Sequence, residues 1–212
     1  MPMETHPIMH DLIDELPDTL GTTHLATYVY GSRARGDERP TSDLDLAIIC
    51  DHSIDESLEK LASLVRSWSQ SLPYEVNPWL VAKSEVLDYP VEFGVMKLHL
   101  EGKLLKGSFD LPDIGHEHYY RCSTALIMEA LMSIRHYIIS SEWMALPESK
   151  TYRFVLKPLY HGIRYQRFAD ENVCYSNADI FHSYPMLRDG DAAHLMQLCS
   201  KLLSSNQMTQ AD

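Results

Sequence analysis

Two short stretches that lie close together decide the fold of this chain: residues 30–36 read YGSRARG, and residues 41–46 read TSDLDL. The first stretch ends an apolar, β-branched and aromatic run that begins at His24. The second opens another apolar run, from Leu44 to Cys50. Such runs are typical of β-strands. The sequence therefore predicts two strands with polar residues at their ends.

The first stretch has the composition of a phosphate-binding turn. Gly31 and Ser32 stand where the first strand ends, at the start of what reads as a short helix. Glycine lets backbone N–H groups approach a phosphate closely, and the serine hydroxyl adds a donor. Arg33 and Arg35 flank the turn, and a guanidinium group suits bidentate recognition of phosphate oxygens. A solvated loop arginine is the competing interpretation.

The second stretch carries two carboxylates, Asp43 and Asp45, on an otherwise apolar strand. Residues at i and i+2 of a strand point to the same face, so the two negative charges repel each other. Magnesium resolves this conflict, because it takes hard oxygen ligands from one or two carboxylates and fills its other positions with phosphate and water. Two such ions can activate an attacking hydroxyl and stabilise the leaving pyrophosphate.

Either pattern alone is weak, but their order and spacing are specific. The segment 31–45 resembles the signature of the DNA polymerase β-type nucleotidyltransferase superfamily, in particular its minimal and aminoglycoside adenylyltransferase-like branches. The clear similarity covers about residues 26–50, and a weaker one continues to Gly107. The resemblance implies that Gly31 and Ser32 hold a triphosphate, that the two aspartates hold Mg²⁺, and that ATP is the donor.

The family usually supplies a third carboxylate from a later strand, as a metal ligand or as a base. Glu75, in the segment LPYEV at residues 72–76, is the candidate that the resemblance implies. A base must lie within hydrogen-bond reach of the proton that it takes. An exposed glutamate at the start of a strand is the competing interpretation.

The rest of the chain predicts an α+β fold: a mixed sheet with flanking helices, followed by a C-terminal helical domain. The predicted catalytic domain covers residues 1–107, and the helical domain, which by resemblance shapes the acceptor side, covers residues 108–212. Pro78 places the third strand at an edge or a bulge, because proline cannot donate to a sheet. The spacing predicts helices at residues 8–20, 55–71, 119–140, 159–168 and 192–203, and a third strand at 74–81.

Composition limits the partners and the location of the protein. The chain has 212 residues and a formal net charge of −12, with no long cluster of Lys and Arg. Long nucleic acid is therefore an unfavoured acceptor, since binding to many phosphates needs a basic surface. No apolar run is long enough to predict a membrane span. The four cysteines are widely scattered, which favours a reducing cytoplasm and buried roles for Cys50 and Cys199.

Several functions remain open at this point. The first is transfer of a nucleotide, with AMP as the default, to a hydroxyl of a small molecule such as an aminoglycoside-like antibiotic. The second is nucleotidylation of a protein, including an antitoxin-like role on a partner. The third is a non-catalytic binding module, which the intact aspartate pair disfavours. Arg188 and His194 also have the spacing of a HEPN ribonuclease pair, but Gly190 between them argues against one continuous helix.

Overall fold

The computed structural model describes residues 7–52, 58–90, 93–188 and 190–209. It separates into two compact units, Met1–Ile114 and Gly115–Asp212. The predicted start of the second helix at 55–57 lies outside the described residues, as does Asp189. The roles that the sequence analysis assigns to residues 1–107 and 108–212 stay predictions.

The first unit is built on a four-stranded sheet. Its order is β3-β2-β1-β4, with β2 and β3 parallel and the other two pairs antiparallel. The strands are β1 (His24–Tyr30), β2 (Leu44–Cys50), β3 (Val76–Ala82) and β4 (Lys103–Gly107). The helices are α1 (Pro7–Leu20), α2 (Gly31–Arg35), α3 (Leu58–Ser71), α4 (Lys83–Asp88) and α5 (Phe93–Glu101), and a 3-10 turn spans Gly21–Thr23.

One face of the sheet forms the main core of this unit. Alternate residues of β2 turn Leu44, Leu46 and Ile48 toward the apolar sides of α1 and α3, where Leu16 and Trp68 are buried with them. The residues between them on β2 belong to the opposite face. Asp45 is on that opposite face, so the packing of Leu44 and Leu46 fixes the direction in which the aspartate points.

The third strand lies at the edge of the sheet, as Pro78 predicts. It pairs with β2 in parallel register from Leu44 opposite Val76 to Cys50 opposite Ala82. The strand begins at Val76 rather than at Tyr74, and just before it the Glu75 carbonyl accepts the Leu44 N–H at 2.8 Å.

The second unit is helical. Its core joins α6, α8 and α10 through residues such as Ile127, Leu159, Ile163 and Leu195. The helices are α6 (His116–Ile139), α7 (Glu148–Thr151), α8 (Lys157–Glu171), α9 (Asn177–Ser183) and α10 (Ala192–Thr209), with a π-helical turn at Tyr152–Leu156 and 3-10 turns at Trp143–Ala145 and Pro185–Leu187.

These elements confirm the predicted α+β class, with a mixed sheet, flanking helices and a C-terminal helical region. Cys50 and Cys199 are buried, and burial raises the pKa of each thiol to about 11. In the part of the chain that the structure covers, none of the helices has the length and apolar character needed to cross a bilayer. Arg188 and His194 lie on different elements, at the end of a 3-10 turn and inside α10, so they share no helix.

Gly162 provides a test of the helical core. A Cβ added there would lie 2.7 Å from Ile127 Cγ1 and 3.2 Å from the Ser123 carbonyl oxygen of α6. Helix preference alone would favour alanine over glycine by about 1 kcal/mol. We expect Gly162→Ala to lower the free energy of unfolding by about 1–3 kcal/mol instead, through overpacking. Urea denaturation measures whether the free energy of unfolding falls or rises, and a more stable variant would contradict this close packing.

Candidate active site

The Gly-Ser turn joins β1 to the short helix α2. Gly31 has a φ of +77°, in the left-handed region that favours glycine. A Cβ at this position would lie 2.2 Å from Asp45 Oδ2, which is far inside van der Waals contact. The glycine is therefore required for two reasons, its backbone conformation and the close approach of the Asp45 carboxylate.

Glu101, the last residue of α5, binds both ends of the turn and of the short helix that follows it. Its side chain is completely buried. Oε1 accepts the Gly31 N–H at 2.9 Å, and Oε2 accepts from Nη1 of Arg35. The Lys97 ammonium group lies 3.8 Å from Oε1. A buried carboxylate without partners would be costly, so these contacts tie α5, α2 and the turn together.

The two arginines of the YGSRARG stretch already have protein partners. Arg35 pairs with Asp37, at 3.0 Å, and with Glu101. Burial alone would lower the pKa of Arg35, but the two carboxylates outweigh burial and raise that pKa. Arg33 donates from Nε to the Asp43 carbonyl at 3.1 Å and from Nη2 to the Ser42 carbonyl at 2.6 Å.

These contacts give both guanidinium groups a structural role. Arg33 also lies over the Tyr74 ring, 3.6 Å from the centroid. It thereby fixes the end of the loop that brings the chain back to Asp43. The sequence-based assignment of Arg33 and Arg35 to phosphate binding stays a prediction. Gly31 likewise donates its N–H to Glu101. The lack of a side chain at Gly31 leaves room for the Asp45 carboxylate.

Asp43 immediately precedes β2, and Asp45 is the second residue of that strand. Leu44 between them is buried, whereas Asp43 is exposed and Asp45 is partly buried. If the strand alternation is continued by one residue, Asp43 lies on the same face as Asp45. Asp45 is opposite Tyr30 in the antiparallel pairing of β1 and β2. The sheet therefore brings the Asp45 carboxylate beside the Gly-Ser turn.

Strand β3 adds a polar side chain that the sequence analysis missed. Asn77 is opposite Asp45 in the parallel register, and its Nδ2 donates to Asp45 Oδ1 at 2.9 Å. Glu75 precedes Val76, so continuing the register places it opposite Asp43. Glu75 is exposed. The catalytic role predicted for it stays a prediction.

The donor set is compatible with magnesium. Asp43 and Asp45 offer hard carboxylate oxygens on one face, and Mg²⁺ in nucleotide sites is usually held by one or two carboxylates together with phosphate oxygens and water. No cluster of three or more His, Cys, Asp or Glu side chains that could hold an ion occurs within the described residues.

The sequence analysis missed Asn77 and Glu101, and the sequence carries a signal for only one of them. Asn77 has the i+2 spacing from Glu75 that puts both on one face of a strand, so the pattern carried a weak signal. Glu101 lies in the LEGKLL segment, where the family resemblance was noted only as weak. Nothing in that segment predicts a fully buried carboxylate, because its partners Gly31 and Arg35 are 70 and 66 residues away.

Comparison with known families identifies this part of the chain. Residues 22–87 match the family model described as polymerase beta, nucleotidyltransferase. The match includes β1, the Gly-Ser turn, both aspartates and β3. Residues 22–87 are therefore a nucleotidyltransferase domain of that family. The resemblance inferred from the sequence is thus confirmed. No protein of curated function gives a significant match.

Three solved structures align with part or most of this chain. A toxin–antitoxin structure with AMP-PNP aligns at 20% identity and a TM-score of 0.35, over 47% of this chain and 73% of that one. A mutant of the toxin–antitoxin MntA-HpeT aligns at 19% identity and 0.34, with the same coverage. Spectinomycin adenyltransferase AAD(9) from Enterococcus faecialis, with ATP and spectinomycin, aligns at 15% identity and 0.41, over 88% of this chain and 98% of that one.

The buried carboxylate gives a test of how the turn is held. Glu101→Gln keeps the shape of the side chain but removes the charge that faces Arg35. We expect it to lower the free energy of unfolding by about 1–3 kcal/mol, because the buried Arg35 guanidinium loses one of its two carboxylate partners and keeps Asp37. Glu59→Gln, at an exposed position of α3, is the control and should change this free energy by less than about 0.5 kcal/mol. Equal urea midpoints for the two variants would contradict the role of Glu101.

Proposed function

We propose that this protein transfers a nucleoside monophosphate, AMP by default, from a nucleoside triphosphate to a hydroxyl group of an acceptor. The observation that carries the proposal is the placement of Asp45. Its carboxylate touches Gly31 of the Gly-Ser turn and shares a sheet face with Asp43. A triphosphate bound at the turn would meet both carboxylates there.

The arrangement of the turn supports a phosphate-binding role. Ser32 is partly buried, and its carbonyl oxygen accepts the N–H groups of Gly36 and Asp37 at 2.9 and 3.0 Å. These bonds close α2 into one compact turn behind the serine. Glu101 and Asp45 contact the turn at Gly31, so protein contacts hold it in place. Such preorganisation lowers the entropy cost of binding the donor.

The chemistry is a displacement at the α-phosphorus. The acceptor oxygen forms a bond to that phosphorus while the bond to the β-phosphate oxygen breaks, and pyrophosphate leaves. Asp43 and Asp45 would hold two Mg²⁺ ions. These ions would neutralise the negative charge that develops on the acceptor oxygen and on the leaving pyrophosphate. Ser32 and the turn hold the phosphates in place. Glu75, on the rim beside Asp43, would take the proton of the acceptor hydroxyl.

The charge of the protein favours a cationic acceptor. A net charge of −12 raises the local concentration of cations around the molecule. A polyhydroxylated amine, such as an aminoglycoside-like antibiotic, combines positive charge with several hydroxyl groups. This acceptor class is therefore our first candidate, and a partner protein is the second.

A direct assay tests the proposal. The purified protein is incubated with each nucleoside triphosphate, labelled in the α-phosphate, together with Mg²⁺ and a panel of aminoglycosides. Mass spectrometry identifies any acceptor that gains one nucleoside monophosphate, and pyrophosphate release gives the rate. A parallel incubation with cell extract reveals a protein acceptor instead. Nucleotide transfer to neither class of acceptor would count against the proposal.

The aspartate pair gives the first mutational test. We expect Asp43→Asn and Asp45→Asn each to abolish metal-dependent transfer, because a neutral amide cannot replace a carboxylate in neutralising Mg²⁺. The far-UV circular dichroism should be unchanged. Asp88→Asn, at an exposed position at the end of α4, is the matched control and should retain full activity. Normal turnover in either site variant would reject the metal assignment.

Glu75 gives a separate test. If it is the base, Glu75→Gln should bind the triphosphate with normal affinity but lose turnover, because the amide cannot accept the acceptor proton. Equilibrium binding of a fluorescent ATP analogue and steady-state kcat measure the two effects independently. A variant with normal kcat would remove Glu75 from the catalytic set and leave the aspartate assignment untouched.

A further inference from the structure

Strand β3 presents an amide, not a carboxylate, to the Asp45 side chain. Asn77 Nδ2 donates to Asp45 Oδ1 at 2.9 Å across the parallel pair. An ionised carboxylate can only accept hydrogen bonds, so the amide must turn its nitrogen toward Asp45. The two residues are opposite each other in the register of β2 and β3. The contact is thus built into the strand pairing.

The Asp45 carboxylate is consequently held from two sides. Oδ1 receives the amide of Asn77, and Oδ2 lies against Gly31, where a Cβ would come within 2.2 Å. Leu44 and Leu46, both buried, fix the backbone on either side of Asp45. With both oxygens confined, the side chain has little freedom to rotate. Asp43, in contrast, is exposed and precedes the strand.

We propose that Asn77 is a positioning residue that fixes the Asp45 carboxylate in the orientation required to bind the metal-bound donor. This inference rests on the proposed function, since it assumes that Asp45 is a metal ligand. It adds a residue that acts through Asp45 and needs no contact with the substrate. Partners of this kind orient metal ligands, and their loss typically reduces metal affinity or activity by about 10–100-fold.

The choice of an amide has a physical reason. A carboxylate at position 77 would bring a further negative charge against Asp45, next to Asp43, and could not donate a hydrogen bond at neutral pH. Asparagine supplies the donor without adding charge. Asn77 therefore orients Asp45 without adding another carboxylate beside Asp43 and Glu75.

The test uses three substitutions at position 77. Asn77→Leu keeps the volume but removes the donor, Asn77→Asp keeps the shape but replaces the donor by a charge, and Asn77→Gln retains the amide. The longer glutamine has room because position 77 is exposed. Gln70→Leu, which removes an exposed amide from α3, is the matched control. All four variants are made in the full chain.

Two measurements are needed. The first is the affinity for Mn²⁺ of the protein saturated with α,β-methylene-ATP, a donor analogue that cannot be cleaved at the α-phosphate. The electron paramagnetic resonance signal of free Mn²⁺ measures this affinity. The second is kcat and KM for ATP at saturating Mg²⁺. We expect Asn77→Leu and Asn77→Asp to weaken Mn²⁺ binding by about 10–100-fold. Asn77→Gln should stay within about threefold of the original protein, and Gln70→Leu should not differ from it.

A positioning role also predicts which kinetic constants change in the Asn77 variants. The loss in Asn77→Leu should appear in the metal dependence and in kcat, with KM for ATP at saturating metal nearly unchanged. The thermal midpoint should match that of the control, because the side chain is exposed. Mn²⁺ affinities in Asn77→Leu or Asn77→Asp equal to that of the original protein would overturn the proposal.

The outcomes separate this inference from the proposed function. If the original protein shows metal-dependent transfer that Asp45→Asn abolishes, while the Asn77 variants behave like the control, only the role of Asn77 fails. If the original protein transfers no nucleotide and Asp45→Asn does not change Mn²⁺ binding, the proposed function itself fails.

Discussion

The buried carboxylate of Glu101 is the constraint on which the rest of the site depends. It accepts the Gly31 N–H and pairs with Arg35, so one side chain of α5 fixes both the first residue of the Gly-Ser turn and the last residue of α2. A buried charge cannot exchange these partners for water without a large loss of free energy. The turn therefore has one position relative to the sheet.

That position has consequences for the acidic side of the site. Gly31 is pressed against Asp45, while Arg33 reaches from α2 to the backbone carbonyls of Ser42 and Asp43. The loop between α2 and β2 is thus attached at the end where the first aspartate lies. The Gly-Ser turn and the two aspartates are held together by these contacts, and the proposed transfer would need such fixed positions before a donor binds.

Much of the fold could be predicted because the local pattern is strong. The apolar runs from His24 and Leu44 predicted β1 and β2 with their observed bounds, and Pro78 predicted an edge strand. Strand β4 and helices α4 and α5 were not predicted. Strand β4 has only five residues and is half-exposed, so it shows no clear alternation, and it exists because its backbone pairs with β1.

The aspartate pair and the Gly-Ser turn were evident in the sequence, since their spacing of a few residues and the strand period decide which face they share. Sequence alone thus determined the family, the two-strand framework and the face that carries the acidic groups. Tertiary structure decided the partners of those groups: Glu101 below the turn, Asn77 against Asp45, and protein contacts for both arginines. The physical reason is that the bonds made by Glu101 and Asn77 join residues 32 to 70 positions apart, and only the folded chain brings these residues within 3 Å.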